Sequence, residues 1–109
     1  MPVEIVVYAG FDWKSRLAVE AAKQASLVLA STYGIEAPVE VVELPYGDLD
    51  AGEAGLPEVR VEGKIVSRGR VPHIDEILDA AFEVLEERFP GAWRALLWDE
   101  EGEKGLLGV

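Results

Sequence analysis

The chain has no cysteine among its 109 residues. Disulfides, thiolate metal sites and thiol nucleophiles are excluded together. Asparagine is also missing, and glutamine and methionine occur once each, as Gln24 and Met1. Depletion of thermolabile types beside abundant glutamate matches the composition of thermophile proteins. The single histidine, His73, allows neither a zinc site nor an ordered Ser/His/Asp constellation, so no metal and no cofactor is expected. Positive charge is scarce: ten Lys and Arg face twenty-one Asp and Glu, for a net charge of -11. Such a surface repels phosphate backbones and anionic lipid, which argues against nucleic-acid and membrane partners. The longest nearly uncharged stretch, Gln24 to Ile35, falls short of the roughly 20 residues that a spanning helix needs. Met1-Pro2-Val3-Glu4 puts an acid where a signal peptide carries bases, and a cytoplasmic location is the expectation.

What remains is half hydrophobic, 28% charged and of positive mean hydropathy, the composition of one folded domain. Val3 to Ala9 is mostly apolar and β-branched, which predicts a strand covered on both faces. Gly10-Phe11-Asp12 breaks it, and Asp12 is a suitable N-cap for a long helix reaching about Tyr33. Leu17, Ala21, Val28 and Thr32 recur there at helical spacing, and Gly34 stands where a left-handed cap belongs. Ser26 to Ala30 is apolar nearly all round, so that end is expected to be largely covered. Pro38 opens a second strand, Val39 to Leu44, closed by Pro45-Tyr46-Gly47-Asp48. Strand, long helix and strand predict a right-handed βαβ crossover. Asp48 to Gly55 reads as a loop, and Glu58 to Ser67 as a β-hairpin turning at Glu62-Gly63. Ile74 to about Phe89 is a second helix with an apolar face of Ile74, Ile77, Leu78, Ala81, Phe82 and Leu85, stopped by Pro90-Gly91.

This order, with Leu56-Pro57 entering the hairpin and a terminal helix after a Gly-containing loop, resembles the thioredoxin-like fold, in particular its small glutaredoxin-like members. The resemblance covers about Val3 to Phe89. It implies a three-layer α/β domain over residues 1–89, with residues 90–109 as an extension packed on the domain or at a subunit interface. It also implies that Pro57 is cis and faces the site where the first strand turns into the first helix. The family carries Cys-x-x-Cys there; this chain has Phe11-Asp12-Trp13-Lys14-Ser15, with Asp12 and Ser15 laid on the two cysteine positions. Neither has a thiol, so thiol–disulfide exchange is chemically excluded. The short segment before Leu56-Pro57 is a second departure, because family members often have a fuller helix there.

The candidate groove implied by the resemblance is Asp12, Trp13, Ser15, Leu56 and Pro57. At a helix N-terminus, Asp12 is stabilised as a carboxylate, which makes it a cap and a poor general base. Ser15 has no base to activate it, and His73 reads as a polar helix-entry residue. Asp48, Asp50 and Glu53 fail the calcium-loop spacing, and Gly47, Gly52, Gly55 and Gly69 match no phosphate-binding motif. Arg60, Lys64, Arg68 and Arg70 concentrate four of the ten bases near the hairpin. They are either contacts for an anion or partners of the acids on the terminal helix. Phe11, Trp13, Trp93 and Trp98, with Leu96, Leu97, Leu106 and Leu107, add apolar surface that either covers the core or meets another chain. The sequence therefore leads to a non-redox binding module that forms a homodimer or meets a protein partner. The alternative is a ligand-binding protein or a non-redox enzyme that uses a groove near Asp12-Ser15 and Pro57 for a small anionic or peptide-like ligand.

Overall fold

A computed structural model describes residues 2–44 and 55–91. Among these residues the elements run β1 (Ile5–Ala9), α1 (Trp13–Tyr33), β2 (Val39–Glu43), β3 (Glu58–Val61), β4 (Lys64–Arg68) and α2 (Ile74–Arg88). They form an α/β fold with one mixed sheet in the order β2-β1-β3-β4. β1 and β2 are parallel, with Ile5 opposite Val39, as a βαβ crossover requires. β3 runs antiparallel to β1, with Val7 opposite Val59, and β4 completes the hairpin. Glu62 and Gly63 both take positive φ, 51° and 84°, the backbone of a two-residue hairpin turn whose twist matches the strands. The Leu56–Pro57 peptide bond is cis.

The core lies on one side of the sheet. Val3, Ile5, Val7, Val59 and Val61 are buried there against Ala18, Ala22, Ala25 and Leu29 of α1 and Ile77, Ala81, Val84 and Leu85 of α2. Tyr33 and Phe82 join the helices edge to face, with ring centroids 5.0 Å apart. Gly34 ends α1 with φ 68°, and the Ile35 amide donates to the Leu29 carbonyl, returning the chain toward β2.

Three expectations need correction. The buried stripe of α1 is Ser15, Ala18, Ala22, Ala25 and Leu29, one position on from Leu17 and Ala21; Leu17 and Thr32 are exposed. Small alanines let the helix approach the sheet closely, and a helix with apolar residues all round carries little information about its phase. The second half of α1 is not largely covered, because Leu27 is 60% exposed and Ala30 lies outside too. Nor is β1 buried on both faces: Ile5, Val7 and Ala9 are buried, whereas Val6 and Tyr8 are only partly so. Both described helices pack on the same side of the sheet, so the described residues make two layers. The acidic loop with Asp48, Asp50 and Glu53 lies outside the described residues, as do Trp93, Trp98 and the rest of the extension from residue 92.

Candidate functional site

The site forms where β1 runs out and α1 begins. Asp12 has extended backbone (φ -100°, ψ 173°) and caps α1, its Oδ1 accepting the Ser15 amide at 3.3 Å. Ser15 is only 1% exposed, and its Oγ accepts the Gly10 amide at 2.8 Å. The Ser15 hydroxyl is the main cause that holds the Asp12 carboxyl below its usual range. Asp12 is thereby a poor proton acceptor, and the Ser15 oxygen is tied into the loop.

Leu56 closes on the same loop. A methyl group on Gly10 would stand 3.6 Å from Leu56 Cδ1, 3.6 Å from Ser15 Oγ and 3.4 Å from Asp12 Oδ1. Pro57 follows at once, is fully buried, and offers its carbonyl to the Gly69 amide at 2.8 Å. Gly10, Asp12, Ser15 and Leu56 thus meet at one end of the sheet. Phe11 and Trp13 project from it, 69% and 67% exposed.

A cleft of about 500 Å³ opens from this loop along α1 toward the edge strand β2. Phe11, Asp12 and Ser15 line it, but Leu56 and Pro57 do not. Its flank carries Arg16, Glu20 and Lys23 of α1 and Glu43 of β2, residues that the sequence reading passed over. Asp12, Arg16, Glu20 and Lys23 fall on one helical stripe, and that spacing was the signal available to find them.

The four hairpin bases divide into two pairs. Lys64 Nζ donates to Glu87 at 2.6 Å, and Arg70 donates bidentately to Glu76 at 2.9 and 2.5 Å. These two neutralise acids of α2. Arg60 and Arg68 instead both donate through Nε to Glu58, each to a different carboxylate oxygen, the Arg68 bond being 2.8 Å. The Arg60 guanidinium also lies 5.1 Å from the centroid of the Tyr8 ring. Burial pushes the Glu58 carboxyl up, yet the hydrogen bonds from Arg68 and Arg60 outweigh it and the net shift is downward.

His73 is the N-cap of α2. Its Nδ1 accepts the Asp75 amide at 3.1 Å, while Glu76 accepts the His73 amide at 2.8 Å, closing a reciprocal capping box. The bidentate bond from Arg70, joined by that amide, brings the Glu76 carboxyl down to about 2. Among the described residues no group of three or more His, Asp and Glu side chains is placed to hold a metal ion, and no helix is long and apolar enough to cross a membrane. No protein-family model matches the chain, and no curated protein matches it.

Proposed function

We propose that the chain is a thioredoxin-like domain, similar to small glutaredoxin-like proteins, that acts by binding and not by redox chemistry. The strand order, the antiparallel hairpin after Leu56-Pro57 and the cis bond at Pro57 support the resemblance. One observation carries the functional half. The two side chains laid on the redox positions, Asp12 and Ser15, are absorbed in capping α1 and in bonding the Gly10 amide. A carboxylate of lowered pKa and a tied hydroxyl build a rigid rim. The exposed Phe11 and Trp13 on that rim suit contact with another protein.

The double substitution Asp12→Cys, Ser15→Cys tests the resemblance. Side chains three apart on a first helical turn lie about 5–6 Å apart at Cβ, within reach of a disulfide after slight adjustment. The expected outcome is an intramolecular disulfide under mild oxidation, read by thiol titration and mass. Two free thiols after oxidation would show that the loop lacks redox-loop geometry.

The cleft favours a second reading, a ligand-binding protein for a small anionic or peptide-like molecule. Arg16 and Lys23 on one side, with Glu20 and Glu43 near them, suit a zwitterion with separated charges. Titration calorimetry with glutathione as the probe separates the readings. Saturable heat lost on Lys23→Gln favours the cleft, and its absence favours the protein-contact rim.

A further inference from the structure

We propose that the outer edge of β2 takes up an extended basic segment of a partner protein as an added strand beside the α1 cleft. This rests on the protein-binding reading and names the chemistry of the partner. Among the described residues the sheet order places β2 at an edge. It runs parallel to β1, and its even-numbered residues turn inward. The Pro38 carbonyl accepts the Ile5 amide and the Leu44 amide donates to the Ala9 carbonyl, both at 2.9 Å. The N–H and C=O of one strand residue point to the same side, and the next residue points to the other. Val39, Val41 and Glu43 therefore turn a row of donors and acceptors away from β1. The space beside that row is open: the cleft of about 500 Å³ reaches Val41 and Glu43, and Val41 is 38% exposed. Arg16, Val19, Glu20 and Lys23 of α1 line its other side. An added strand would turn alternate side chains toward this flank of α1, and the rest toward the sheet face that carries Glu40 and Val42.

Charge selects the occupant. Along this edge the exposed acids Glu20, Glu36, Glu40 and Glu43 outnumber the exposed bases Arg16 and Lys23, and Asp12 adds a further carboxylate to the cleft. The net charge of -11 on the whole chain steers a basic segment toward it and turns an acidic one away. A second copy pairing through the same strand would set the glutamates of Val39–Glu43 beside their own counterparts, which repels. The edge at β4 differs in both respects. It carries Lys64 and Arg68 and no acid, and a register shift between Val59 and Arg60 interrupts its pairing with β3. Like charge and a bulge both blunt an edge, so a basic strand is directed to β2. The alternation of valine and glutamate in β2 suits a segment in which β-branched residues alternate with lysine or arginine.

Fluorescence anisotropy of the intact chain with a fluorescein-labelled peptide of alternating lysine and valine tests the proposal. Saturable binding is expected, weaker at higher salt. Two N-methylated isomers separate strand addition from charge alone, one blocked at its valine amides and the other at its lysine amides. One isomer should bind within about twofold of the parent, and the other should lose at least about tenfold, the worth of one or two backbone hydrogen bonds. Val41→Pro removes an outward N–H and leaves the ladder to β1 in place. It should weaken binding at least about tenfold while the melting midpoint stays within a few degrees. Glu40→Lys reverses an exposed charge outside the cleft and should weaken binding about fivefold, which keeps the test decisive if Val41→Pro does not fold. Absence of saturable binding, equal binding of a glutamate–valine peptide, or equal effects of the two isomers would overturn the proposal and leave the glutamates as guards of the edge. Open-ended polymers of the chain alone would overturn it too, assigning the β2 edge to β4 of another copy. None of these results bears on the engineered Cys pair at positions 12 and 15, so failure here and failure of the underlying reading are distinguishable.

Discussion

Ser67 sits on β4 opposite Val59, 4% exposed, and its hydroxyl has no hydrogen-bond partner among the described residues. An unsatisfied buried hydroxyl costs about 1–3 kcal/mol, and alanine removes it without creating a large void. Ser67→Ala is therefore expected to hold or raise the thermal midpoint, whereas a drop of several degrees would mean that the hydroxyl has a partner. Asp12→Ala should do the opposite and cost about 1 kcal/mol, because the Ser15 amide loses its acceptor. The contrast shows which residues the sequence discloses. Asp12 is legible as a cap because its chemistry is local, three residues from the amide that it accepts. Glu58 is not, since alternation gives it an outward position, and its second arginine partner, Arg68, arrives from β4 to join Arg60 on its carboxylate. Long-range partners of this kind depend on register, which residue types alone do not determine.

Elements were legible in proportion to their punctuation. The two helix starts, at Asp12 and His73, the stop at Gly34 and the hairpin at Glu62-Gly63 all follow from short-range signals. The phase of α1 is not legible from its alanines and leucines, which occur all round the helix; the charged stripe of Arg16, Glu20 and Lys23 is the better mark. α2 alternates acids with apolar residues, and the pattern marks its buried Ile77, Ala81 and Leu85 but omits the buried Val84, while Ile74, Leu78 and Phe82 on the marked face are only partly buried. At the hairpin, Gly63→Ala should cost about 1–2 kcal/mol, since φ of 84° puts a Cβ in the left-handed region although nothing crowds it. Urea midpoints measure this, and an unchanged midpoint would show that the turn relaxes freely. At the start of α2, Glu76 titrates near 2 in the folded state against an ordinary 4.5. A depressed folded value means stability that is present above pH 4.5 and lost as pH falls toward 2. Solvent screening keeps the effect small, because Glu76 and Arg70 are both partly exposed. Melting scans across that window should show a fall that Glu76→Gln diminishes. Identical slopes in both proteins would assign the acid sensitivity to other carboxylates, Glu58 first.

On the scale of the whole molecule, opposing terms decide whether two copies associate. Phe11, Trp13, Leu17, Leu27 and Phe89 are all exposed large apolar residues, and α1 carries three of them, at positions 13, 17 and 27. Burying one such side chain contributes roughly 1.5–3 kcal/mol, so a few on each protomer suffice for a symmetric pair. Against this stands the charge of -11 on each chain, which repels a second copy over about 10 Å at 0.1 M salt. An apolar contact opposed by like charge has a distinctive salt response, because salt screens the repulsion and leaves the contact in place. Sedimentation equilibrium of the intact chain should therefore show a dimer whose dissociation constant falls as salt rises. Association that weakens with salt would mean that ion pairs form the contact, and α1 would not be its centre. A monomer at every salt concentration would remove self-association altogether and leave Phe11 and Trp13 for a different protein. The substitution Leu27→Glu keeps these outcomes apart. It adds a charge to an already exposed site, so it should spare the fold yet abolish a dimer built on α1.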